Sequence, residues 1–99
     1  MDSHSNKSPD EETLESMREL ILAYQAKAIP LHHLSGQLNS LLNILISVDS
    51  DFKSSLFREW MVVEEVNSLA LDSGKEDVLE EHRTILEDSL HRLSTLLAG

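Results

Sequence analysis

Leu31-His32-His33-Leu34-Ser35-Gly36-Gln37-Leu38-Asn39-Ser40-Leu41-Leu42-Asn43-Ile44-Leu45 is the stretch whose reading decides the fold. Leucines at 31, 34, 38, 41, 42 and 45 recur at steps of three and four, the spacing that places side chains on one face of an α-helix. A strand would alternate apolar and polar residues, and this stretch does not. The spacing predicts a helix from about Leu31 to Ser47. Its other side carries Gly36, Asn39, Ser40, Asn43 and Ser47, all small or uncharged, so a neighbouring helix could approach closely and cover that side too.

The same period continues in both directions. Upstream, Leu14, Met17, Ile21, Tyr24 and Ala28 share a helical face. Ser8-Pro9-Asp10-Glu11 reads as its start: Ser8 caps, Pro9 suits the first turn, and Glu11 closes a capping box. Asp10, Glu11 and Glu12 then sit at the positive end of the helix dipole, and Pro30 is expected to stop the helix. Downstream, Val48-Asp49-Ser50-Asp51 reads as a turn and N-cap. A third helix follows over Phe52–Leu71, with Phe52, Leu56, Val63, Val66 and Ala70 inward, Trp60 on one flank, and Val62 and Leu69 on the other. Gly74 is a C-terminal cap candidate. A fourth helix, about Glu76–Leu97, turns Leu79, Leu86, Leu90, Leu93 and Leu97 inward, and Glu80, Glu81, Thr84, Glu87, Asp88 and His91 outward. Four amphipathic helices with short connections imply an all-α, antiparallel four-helix bundle. Residues 1–7 read as a frayed tail, and 8–99 as one domain.

Charge narrows the function. The chain carries net −10 over 99 residues. Ten of its eighteen carboxylates lie between Glu59 and Asp88, where Lys75 and Arg83 are the only Lys or Arg. Such a surface repels nucleic acid and anionic membranes and steers basic partners inward. Residues 28–48 lack formal charge but are broken by His32, His33, Gln37, Asn39 and Asn43, which argues against a membrane span. Nothing at Met1–Asn6 resembles a signal peptide, so a soluble, cytoplasmic protein is expected.

Catalysis finds no foothold in the sequence. Cysteine is absent, no glycine-rich phosphate loop occurs, and no nucleophile stands at a readable spacing from a base. Glu64-Glu65 and Glu80-Glu81 are neighbours along a helix, and neighbours diverge. His32 and His33 diverge likewise, and Asp88-Ser89-Leu90-His91 gives only one copy of a carboxylate–x–x–His motif that di-iron bundles use twice. The expectation is therefore no enzyme, no metal and no cofactor.

A binding surface is easier to read. With Phe52, Leu56, Val63, Val66 and Ala70 inward, Met61 points outward, with Phe57 one turn earlier. Exposed apolar anchors within an acidic rim suit a protein interface. The expected partner surface is Phe57 and Met61 with Glu64, Glu65, Glu80, Glu81, Glu87 and Asp88, set against Lys or Arg of a basic protein. Trp60 is expected to be partly buried. A helical adaptor or self-associating protein is the alternative.

Val48-Asp49-Ser50-Asp51-Phe52, Phe57-Arg58-Glu59-Trp60, Val63-Glu64 and Leu69-Ala70-Leu71-Asp72 together resemble small α-helical immunity proteins of bacterial polymorphic-toxin systems, including contact-dependent growth inhibition. In that family an aromatic–acidic helix precedes a final acidic amphipathic helix, and the resemblance spans residues 14–97. The four-helix colicin-nuclease immunity proteins share size and acidity, but their tyrosine pair followed by proline is missing here, so their contact residues do not transfer. The resemblance implies binding and neutralisation of a cognate toxin, most simply a nuclease whose basic substrate surface suits an acidic inhibitor.

Overall fold

The computed structural model describes residues 9–72 and 80–98, and these form four α-helices: α1 (Pro9–Gln25), α2 (Leu31–Ile44), α3 (Ser50–Asp72) and α4 (Glu80–Ala98). Among the described residues there is no strand. Each helix packs on two neighbours, α1 and α3 each lying against α2 and α4, and the diagonal pairs make no close backbone approach. This is the ring of a four-helix bundle. The expected Ser8 cap, Gly74 cap and inward Leu79 fall outside the described residues.

The stripes read from the sequence meet in one core. Met17 and Ile21 of α1, Leu34, Leu38 and Leu42 of α2, Leu56 and Val63 of α3, and Leu86, Leu90 and Leu93 of α4 are essentially inaccessible to water. Burying such a side chain contributes about 1.5–3 kcal/mol. Leu14, Tyr24, Leu41, Phe52 and Trp60 pack around this centre as partly buried residues. Among the described residues, no helix is long and apolar enough to cross a membrane.

The helix ends differ from the sequence reading in instructive ways. Helix α1 stops at Gln25, well before Pro30. Lys27 takes a left-handed conformation with φ 65°, its N–H bonds to the Tyr24 carbonyl, and the Ala28 N–H reaches back to Ala23. That pair of bonds satisfies carbonyls at a helix C-terminus, a task usually given to glycine. Ala28, read as part of the inward stripe, is exposed because the chain has left the helix by then. Pro30 instead opens α2: it is extended at φ −80° and ψ 165°, and its carbonyl accepts the Leu34 N–H.

Helix α2 ends at Ile44 rather than Ser47 because Leu45 turns to extended geometry. Lys53 Nζ then bonds the Leu45 carbonyl at 2.8 Å. Asp49 caps α3, accepting the N–H groups of Asp51 and Phe52. The outer side of α2 is not covered: Gly36, Ser40, Asn43 and Ser47 are exposed. Asp10, read as a helix-dipole residue, is buried, and its carboxylate accepts the backbone N–H groups of Ile46 and Ser47. It ties the start of α1 to the α2–α3 connection.

Two stability outcomes are expected. Asp10→Ala strands those N–H groups and should cost about 1–3 kcal/mol in urea unfolding. Lys27→Gly removes the Cβ clash of the left-handed residue and should raise stability by up to about 1 kcal/mol; a lowered melting temperature would contradict this account of the α1 terminus.

Candidate functional site

The roll of α3 about its own axis decides which side chains reach solvent, and polar contacts on both flanks fix it. Toward α2, Ser35 is fully buried and its Oγ donates to Glu64 Oε1 at 2.5 Å, while Trp60 Nε1 donates to the Ser35 carbonyl at 2.9 Å. Ser68 Oγ donates to the other Glu64 oxygen. Toward α4, Ser89 is fully buried and its Oγ donates to both the carbonyl and the carboxylate of Glu59, at 2.9 Å each. Arg92 Nε completes this side at 3.0 Å from Glu59 Oε2.

These contacts redistribute the expected partner surface. Phe57 is not on the outer face: it is half-buried against the core and meets Trp60 edge to face, with ring centroids 6.2 Å apart. Glu64 is not a free rim charge, since Ser35 and Ser68 occupy its two oxygens. Met61 is exposed, and it shares the helical column 57–61–64–68, which the Ser35–Glu64 bond turns toward α2. Glu65, Glu80, Glu81, Glu87 and Asp88 are all exposed. Glu87, however, borders a cavity with Tyr24, Pro30 and Leu31 on the α1 side of α4, and Arg83, which bonds Glu80 at 3.5 Å, lines the same cavity. Phe57 and Glu87 therefore lie on different sides of the bundle. The eight residues do not make one contact patch.

A more compact surface runs along the seam of α3 and α4. The column 55–59–62–66–69 of α3 faces α4, because Glu59 within it bonds Ser89 and Arg92. The matching column 85–89–92–96 of α4 faces α3. At the acidic end of this seam Leu69 and Ile85 remain 39% and 50% exposed. Glu65 stands one position outward on α3, and Glu81 and Asp88 one position outward on α4, all exposed. Further along, Ser55, Arg58, Glu59, Arg92, Thr95 and Leu96 line a shallow hollow of about 280 Å³. Two open apolar side chains between rows of carboxylates have the composition of a protein-binding patch.

Helical spacing places Leu69 on the flank of the α3 core stripe and leaves Ile85 off the α4 stripe. One signal was available: Ile85 is the lone large apolar residue in the Glu80–Asp88 stretch that does not fall on the leucine stripe of α4. Among the described residues, no group of three His, Asp or Glu side chains stands together as a metal-binding cluster. No family model matches the chain, no curated protein matches it, and no solved structure matches it.

The division between internal and outward carboxylates can be measured. Glu64→Ala leaves the buried Ser35 hydroxyl without its interhelix acceptor and should lower stability by about 1 kcal/mol or more. Glu65→Ala, one residue on and exposed, should change it by less than about 0.5 kcal/mol. Equal effects in paired denaturation curves would refute the assignment of Glu64 to the fold.

Proposed function

We propose that this chain is a binding protein that captures and neutralises a basic protein partner through the α3–α4 seam. Leu69 and Ile85 are the apolar anchors, and Glu65, Glu81 and Asp88 are the charges that meet Lys or Arg. The observation that carries the reading is the pairing of half-exposed Leu69 and Ile85 with exposed carboxylates on both helices, in the segment that holds most of the chain's negative charge. Burial of the anchors supplies affinity, and the carboxylates steer the encounter. No step requires chemistry by this protein.

The resemblance to small immunity proteins gives the partner a class: a toxin domain, most simply a nuclease, whose substrate-binding surface is basic. The acidic bundle would occupy or cover that surface in the cytoplasm and exclude the phosphate backbone. Met61 lies on the α2 side of Glu65, and Glu80 and Glu87 lie toward α1, so all three fall outside this seam, a narrower site than the one expected from sequence.

Binding to a basic nuclease-toxin domain, followed by surface plasmon resonance over a salt series, tests the proposal. Ile85→Ala should hasten dissociation at least tenfold, corresponding to about 1.4 kcal/mol, with association little changed. The triple reversal Glu65→Lys, Glu81→Lys, Asp88→Lys should slow association and flatten its salt dependence. Unchanged kinetics in both variants would place the interface elsewhere, and absence of binding to a basic toxin would defeat the reading.

A further inference from the structure

The outer face of α2 contrasts with the rest of the surface. In a chain of net −10, residues 28–48 hold no formal charge, and the exposed side of α2 includes His32, His33, Gly36, Ser40, Asn43 and Ile44. Two of its polar side chains bond within the helix: Ser40 Oγ donates to the Gly36 carbonyl at 3.3 Å, and Asn43 Nδ2 donates to the Asn39 carbonyl at 2.9 Å. A Cβ added at Gly36 would meet no atom within 4 Å, so that position looks into open space. On the α3 side Met61, 61% exposed, extends the face with an apolar group.

Charge identifies the occupant. A basic partner gains nothing from a face without carboxylates and would be drawn to the seam instead. Two copies of this chain repel each other wherever their acidic surfaces meet, and α2 is the one described helix that brings no carboxylate of its own to such a contact. Gly36 and Ser40 lie one turn apart, so two α2 helices could cross there at short interaxial distance. A contact of that kind is isologous, each copy presenting the same patch to the other.

We propose that the charge-free outer face of α2 is a self-association surface, on which a second copy of this chain docks α2 against α2 about a two-fold axis near Gly36 and Ser40. This site is separate from the α3–α4 seam, and its salt response has the opposite sign. Salt screens repulsion between two acidic copies and strengthens the dimer, whereas it weakens capture of a basic partner.

Sedimentation equilibrium of the full chain at pH 7.5, in low salt and in about 0.5 M salt where screening is strong, provides the test. The expected result is a reversible dimer that tightens with salt. Gly36→Glu, which places a carboxylate at the two-fold axis, should raise the dimer dissociation constant at least tenfold, about 1.4 kcal/mol. Circular dichroism should show its helix content unchanged, since Glu is a better helix former than Gly. Ser40→Glu provides a second variant should the first perturb folding, and Ile85→Ala should leave the dimer intact. A chain that stays monomeric up to about 1 mM, the weak end of specific association, overturns the proposal. So does a dimer that neither Glu variant weakens, or one that salt dissociates. Toxin binding by Gly36→Glu should be retained, so the two surfaces can fail independently.

Discussion

The structure depends on how α3 is held in rotation. Apolar burial alone would tolerate a modest roll of this helix, because its inward stripe is flanked by Trp60 on one side and Val62 on the other. The paired serine–carboxylate contacts do not tolerate it. Ser35 of α2 holds Glu64, and Ser89 of α4 holds Glu59, with both hydroxyls fully buried. Turning α3 toward either neighbour would break one set of bonds and leave a buried donor unsatisfied, which is the expensive side of hydrogen bonding. Trp60 reinforces the α2 side by donating to the Ser35 carbonyl, and Arg92 reinforces the α4 side by pairing with Glu59.

This constraint sorts the negative charge into two roles. Glu59, Glu64 and Asp10 face inward or along seams, where hydroxyl, guanidinium and backbone N–H groups satisfy them. Glu65, Glu81 and Asp88 are left in solvent near the open apolar residues Leu69 and Ile85. The internal carboxylates thus act as positioning groups that point the external ones outward. On the other side of α3, toward α2, Glu64 and Lys53 are both held by hydrogen bonds, to Ser35 and to the Leu45 carbonyl. The acidic α3–α4 seam and the charge-free outer side of α2 therefore lie on opposite flanks of α3.

The connections serve the same arrangement. A left-handed Lys27 closes α1 early enough for Pro30 to begin α2, and the Asp10 carboxylate gathers the backbone of Ile46 and Ser47 as the chain crosses toward α3. Asp49 then starts α3 at a fixed position. With both ends of α2 held, Ser35 stands level with Trp60 and Glu64, and the clamp on that side can form.

The helices, their order and nearly all of the core were legible in the sequence, because a leucine stripe at helical spacing has one low-energy outcome in water: its face is buried against others like it. Leu34, Leu38, Leu56, Leu86 and Leu90 illustrate this, and so does the partial burial of Trp60. Sequence also determined that residues 59–88 would be strongly acidic and residues 28–48 neutral. It could not say which acids stay free. Glu64 and Glu65 are identical residues in adjacent positions, yet one bridges two helices and the other meets solvent, a difference of about 100° around the axis. That angle becomes meaningful only when α2 and α4 supply Ser35 and Ser89. The choice of surface was therefore tertiary, since long-range hydrogen bonds set the roll of α3 and local periodicity does not.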